Sequence, residues 1–147
     1  MDRVLHIEGK QFQYIARISH GKDSLKMLDV IVSRGLPLDR VTTTDIWATD
    51  TIRGEHPKMV AFKEQADEFI WRKYHIEVEH LCAMRDGEKL TYEKLFYHVP
   101  KRKPKNAGKC KWEQGTILGF PTPFWPWCQS YLKRDVKDRA NDKRVSI

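Results

Sequence analysis

The stretch "YIARISHGKDSLKMLDVIV", residues 14–32, decides how the rest of the chain is read. Tyr14, Ile15 and Ile18 give its first part β-propensity, and residues 11–19 are predicted to be a strand. Leu25, Leu28, Ile31 and Val32 then recur at helical spacing, and Gly35 followed by Pro37 predicts where that helix stops. Between the two runs stands Ser19-His20-Gly21-Lys22-Asp23-Ser24, a polar corner with two readings. In the first it cradles an anion: the amides at a helix start are unpaired, Gly21 lets a phosphate approach the backbone, Lys22 adds positive charge and Ser24 a hydroxyl donor. In the second, Asp23 caps an ordinary helix and Lys22 faces solvent. Turn chemistry alone divides evenly between them. The corner is not a Walker A loop, because the first glycine of G-x-x-x-x-G-K-[ST] and its spacing are missing.

Working outward, "DRVTTTDIWA" (39–48) reads as a second strand, followed by a polar loop. Pro57 sits where a helix would open, and Met59, Phe62, Ala66, Phe69 and Ile70 form one apolar face down to Tyr74. Residues 75–83 read as a third strand through Ile76 and Val78. Strand and helix in alternation predict an α/β fold with an open, mostly parallel, Rossmann-like sheet and helices on both faces. In such sheets ligands bind outside the carboxyl ends of the strands, where Ser19 to Ser24 lies. Further on come a short helix within 91–99 and a basic loop at 100–111 holding Lys101, Arg102, Lys103, Lys105, Lys109 and Lys111. An aromatic-rich segment and a closing helix from about Cys128 follow, then a charged, frayed end at 139–147. Residues 1–147 are read as a single domain.

The 147 residues carry 27 Lys and Arg against 20 Asp and Glu, a net charge of +7 that favours anionic partners without choosing among them. No apolar run approaches the roughly 20 residues of a membrane span, and the first ten residues lack a signal-peptide core, so a cytoplasmic protein is expected. Three cysteines, Cys82, Cys110 and Cys128, make no disulfide framework. Cys128 is the candidate reactive thiol, although a packed thiol is the better reading. Cys110, Cys128 and a histidine (His80 or His98) lack the C-x-x-C pairing of a structural metal site, and no metal site is assigned. Phe120, Phe124, Trp125, Trp127 and Tyr131 could stack a base, but core packing is the expectation for most of them. The basic loop is by default solvated; its functional reading is a lid on phosphates. Glu64, Asp67 and Glu68 are expected on a solvated helix face.

Taken together, these pieces resemble the PP-loop superfamily of ATP pyrophosphatases and adenine-nucleotide alpha hydrolases, in particular its phosphoadenosine phosphosulfate (PAPS) reductase-like branch. "SHGKDS" is similar to that family's S-G-G-K-D-S loop. Asp45 falls late in the second strand, where the family has an acidic residue. "GEHP" (54–57) opens the next helix, and Gly119, Phe120, Pro121, Trp127, Cys128, Leu132 and Lys133 match the signature Gly-Phe-Pro, Trp-Cys, Leu-Lys. The likeness runs from roughly residue 13 to 135 and implies a HUP-type fold binding ATP or a related adenine nucleotide. It further implies attack at the α-phosphate in adenylation or sulfur-transfer chemistry, within sulfur metabolism. Lys22 and Asp45 would then be the catalytic pair: Lys22 neutralises the leaving pyrophosphate, and Asp45 holds Mg²⁺ or orients the substrate. Ser19, His20, Gly21, Lys22, Asp23 and Ser24, with Lys101, Arg102, Lys103 and Lys133, would bind phosphate. A nucleic acid or a protein would be the acceptor, and a homodimer or a partner subunit is a further expectation. The alternative is a shortened, catalytically silent subunit that binds nucleotide or nucleic acid within a larger assembly.

The departures are specific. His20 replaces a glycine of the family loop, and a positive φ there would cost about 1 kcal/mol or more; if His20 is strained, His20→Gly is expected to raise nucleotide affinity, and if it donates to phosphate the same change lowers it, strain being the favoured reading. Pro126 and Gln129 flank Trp127 and Cys128 where the family often has Arg and Asn or Thr. The Glu-Cys-Gly-type motif of the true reductases has no counterpart among the 14 residues after Lys133, so thioredoxin-coupled reduction is not expected.

Overall fold

The structure is a computed structural model that describes residues 13–101, 115–136 and 138. The chain is a mixed α/β protein whose principal sheet has three parallel strands in the order β1-β2-β3. They are β1 (Ile15–Arg17), β2 (Arg40–Asp45) and β3 (Val78–Cys82). Helix α1 (Lys22–Ser33) joins the first two strands, and α2 (Pro57–Tyr74) leads from the second to the third. A two-stranded hairpin of β4 (Met84–Arg85) and β5 (Glu88–Lys89) follows, then the short helix α3 (Tyr92–Phe96). The last element, α4 (Trp127–Gln129), continues as a π-helical turn over Ser130–Arg134.

By proximity the residues fall into two compact units. Unit 1 is Met1–Thr43 with Gln65–Glu79, and unit 2 is Thr44–Glu64 with His80–Ile147.

In unit 1, Ala16 pairs in parallel register with Val41. Together with Ile18 and Val78 they make the strand side of a core that Leu28 of α1 and Ile70 of α2 complete. Both helices therefore pack into one core cluster with the strands. The end of α1 follows its sequence signal. Gly35 lies at φ 60°, Leu36 N–H bonds to Ile31 O at 3.0 Å and Gly35 N–H to Val32 O at 3.1 Å, which satisfies the last carbonyls as a Schellman motif does.

In unit 2, Trp127, Leu95, Leu132, Ala83 and Val136 form the buried cluster, with Leu81, Leu90, Tyr92, Leu118 and Cys128 packed against it. Thr91 caps α3 by accepting a bond from Lys94 N–H at 3.2 Å, so the threonine that opens "TYEKLF" explains the helix start. The hairpin was not anticipated from sequence. Its signal is Asp86-Gly87, whose positive φ values of 53° and 83° suit a tight turn between two short strands.

Two expectations about burial are corrected. Helix α2 buries Lys63, Ala66 and Ile70 with Met59 beside them, whereas Phe62 and Phe69 are exposed. The buried stripe is rotated by about one residue from the one the aromatic residues suggested. Of the five aromatics between 120 and 131, only Trp127 is core; Phe120, Phe124 and Trp125 are exposed and Tyr131 is half-buried.

Candidate functional site

The corner between β1 and α1 lies in unit 1 and is built largely by its own short-range bonds. The Ser24 hydroxyl donates to Gly21 O at 2.9 Å and accepts from Ser19 N–H at 3.3 Å, which closes the loop on itself. Gly21 is the helix cap with ordinary extended torsions (φ −73°, ψ 157°), and Asp23 stands in the first turn without capping it. Leu25 N–H makes the first helical bond, to Gly21 O at 3.0 Å, so the amides of Lys22, Asp23 and Ser24 precede the ladder and have no partner within it. Ser19, Gly21, Lys22 and Asp23 are all exposed. The positive end of a 12-residue helix, three amides and one ammonium thus converge on solvent.

His20 is arranged differently. Its φ of 59° is the left-handed conformation that glycine adopts freely. Its ring is buried, with Nε2 at 2.7 Å from Asp67 Oδ1 and Nδ1 at 3.4 Å from Thr43 Oγ1. The imidazole therefore turns inward and anchors the corner to α2 and β2. Asp67, expected on a solvated face, is half-buried as the partner of this histidine. Glu64 and Glu68 are exposed as expected.

Asp45 belongs to unit 2 and ends β2 inside a cluster of charges. Its carboxylate accepts from Arg53 Nη1 at 2.8 Å and from His80 Nδ1 at 2.9 Å, with Arg53 Nη2 2.7 Å from its other oxygen and Lys63 Nζ at 3.5 Å. Lys63, only 4% exposed, also donates to Glu55 at 2.9 Å. Burial pushes the Asp45 carboxyl up, but the bonds from Arg53 and His80 more than reverse this and hold it below the usual aspartate range. Its oxygens are thus neutralised by protein cations, an arrangement that does not fit an Mg²⁺ ligand. Among the described residues no group of three or more His, Cys, Asp or Glu side chains is placed to hold a metal.

Of the remaining expected residues, Lys101 and Lys133 are exposed in unit 2. Arg102 and Lys103 lie outside the described residues. Cys128 is a free, half-buried thiol packed on the Trp127 cluster, as a structural cysteine would be. Arg53 and Lys63 were missed by sequence reading, and His80 was weighed only as a metal ligand. Lys63 had a signal, since it sits at i+4 from Met59 and i−3 from Ala66 on the buried stripe. Asp67 had none, because its partner is 47 positions away.

Among the described residues no helix is long and apolar enough to cross a membrane. No family model, curated protein or solved structure matches the chain.

Proposed function

We propose that the protein binds an adenine nucleotide by its phosphates at the Ser19–Ser24 corner. The observation that carries this reading is the set of amides at Lys22, Asp23 and Ser24, which open α1 without partners beside the exposed Lys22 ammonium at the carboxyl end of β1. The PP-loop resemblance adds the adenine nucleotide and extends the three strands to an open, Rossmann-like sheet of the HUP type. In the enzymatic version the amides and Lys22 grip pyrophosphate as it leaves the α-phosphate, which stabilises the charge developing there.

Binding without turnover is the second reading, and the Asp45 cluster favours it. A carboxylate already held by Arg53, His80 and Lys63 has little capacity left for a metal or for orienting a substrate.

Calorimetric titration with ATP, AMP and PAPS tests the site. Lys22→Ala is expected to weaken binding by about 1–3 kcal/mol, as for loss of a charge-assisted hydrogen bond. Equal affinity in the two proteins overturns the proposal. Chromatography of labelled ATP after long incubation separates the two versions: AMP with pyrophosphate marks the enzyme, and intact ATP the binder.

A further inference from the structure

Two sulfurs of unit 2 meet where β3 runs into the hairpin. Cys82 Sγ donates to Met84 Sδ at 3.7 Å. Cys82 is a free thiol, and unlike Cys128 it packs into neither core cluster. The strand supplies the reason. Successive side chains of a strand point to opposite faces, and Leu81 and Ala83 enter the Trp127 cluster. His80 and Cys82 therefore stand on the other face, and the sulfur contact keeps Met84 there with them. On that face His80 and Met84 are exposed and Cys82 is half-buried.

His80 adds a third donor whose direction is already set. Its Nδ1 lies 2.9 Å from Asp45 Oδ2. The Asp45 carboxyl stays below the usual aspartate range despite its burial, so it is ionised and only accepts. Nδ1 therefore carries the proton of that bond, and Nε2 is the atom through which the neutral ring binds an ion. A carboxylate on the second ring nitrogen is the outer partner that metal-bound histidines ordinarily have, because it fixes tautomer and ring orientation.

The spacing and the donor types choose the ion. Two metal–sulfur bonds of about 2.3 Å meeting at about 110° span the 3.7 Å between Cys82 and Met84. His80 and Cys82, as alternate strand residues, stand about 6.5 Å apart along the backbone, a gap that an imidazole and a thiolate bridge through one ion. Structural zinc takes four ligands from thiolate, imidazole and carboxylate. Among the described residues no group of three or more His, Cys, Asp or Glu is placed to supply them. A thiolate beside a thioether selects Cu(I), which an imidazole also suits.

We propose that His80, Cys82 and Met84 form a site for a soft monovalent metal ion, Cu(I), with Asp45 orienting the histidine. All four residues belong to unit 2, and the site does not depend on the nucleotide reading of the corner in unit 1. Cys82 binds as the thiolate, so its proton passes to solvent as the ion enters. The test is titration of the full reduced chain with Cu(I) against a chromophoric Cu(I) chelator. Cys82→Ala is expected to lose the ion. Met84→Leu and His80→Gln should each weaken it at least about tenfold, the least that losing even an outer-shell partner costs, and Asp45→Asn by about that factor. X-ray absorption of the loaded protein should show two sulfurs and one nitrogen around copper. Met84→Leu changes an exposed side chain of similar size, and thermal melting confirms that the fold is kept. Unchanged affinity in Met84→Leu or in His80→Gln removes that donor from the set and overturns the proposal. Cu(I) retained in Cys82→Ala is held by other groups and overturns it, as does equally tight binding of Zn(II).

Discussion

The two units treat charge in opposite ways. Unit 1 balances its charges and sets its polar partners in place by hydrogen bonds: the buried His20 ring with Asp67, and the half-buried Arg40 with Glu79, where the Glu79 bonds raise the Arg40 guanidinium against the effect of burial. What it offers to solvent at the β1–α1 corner is backbone N–H together with one lysine. Unit 2 buries a network of Asp45, Arg53, Glu55 and Lys63 with His80 at its edge, and leaves Phe120, Phe124 and Trp125 exposed. In unit 2 a single carboxylate, Asp45, meets Arg53, Lys63 and His80 at once, so the loss of one charge there reaches several partners.

The largest effect should come from breaking the unit 2 network. Asp45→Ala removes the more deeply buried of the two carboxylates that Arg53 and Lys63 share and leaves Glu55 alone against both, and urea denaturation should show a loss of about 3 kcal/mol. A loss below 1 kcal/mol would mean that the buried charges relax freely, and the contrast between the units would weaken. The acid limb of stability carries the same signature. Folding depresses the Asp45 pKa, so its contribution is fully present above the ordinary aspartate value of about 3.9 and is lost as pH falls through the lower folded value. Asp45→Asn should flatten that limb, as a pH series of denaturation curves can read.

Next in size is the His20 anchor of unit 1. Asp67→Asn should cost about 1–3 kcal/mol by weakening a buried hydrogen bond to a charged group. His20→Gly relieves a left-handed backbone, worth about 1–2 kcal/mol, but forfeits the Asp67 and Thr43 contacts. We expect a net loss of stability and looser amides at Lys22–Ser24, seen as faster hydrogen exchange. The sequence alone suggested strain relief and a gain in affinity; the inward ring reverses that sign. Slower exchange or higher stability in His20→Gly would restore the strain account.

The smallest effect should be Phe124→Ala, within about 0.5 kcal/mol of wild type by thermal melting, as for surface positions away from any special contact. A larger loss would show that this ring packs in solution.

What could be read from sequence divides along physical lines. Local signals were sufficient for α1, with its Gly35 stop, for Pro57 opening α2, and for Thr91 opening α3, because caps and periodicity act within a few residues. The corner at Ser19–Ser24 was legible for the same reason. The partners His20–Asp67 and Asp45–His80 were not, since side chains 47 and 35 positions apart are joined only by the fold. The stripe on α2 was misread because Phe62 and Phe69 are more hydrophobic than Lys63. Burial there is decided by charge pairing with Glu55 and Asp45 rather than by hydropathy. The exposed Phe120, Phe124 and Trp125 were misread by the same rule, which assigns aromatic residues to the interior.

Trp125 and Trp127, separated by a single proline, give unit 2 two optical probes of opposite character. The Trp127 indole is sealed from water beside Tyr92, with centroids 4.8 Å apart and no partner for its Nε1–H, so it should emit to the blue and resist acrylamide. Trp125 is half in water and should emit to the red and be quenched readily. With single-tryptophan variants, the interior and the surface of one unit can be followed separately in a cuvette, so that unfolding and surface contact become two colours.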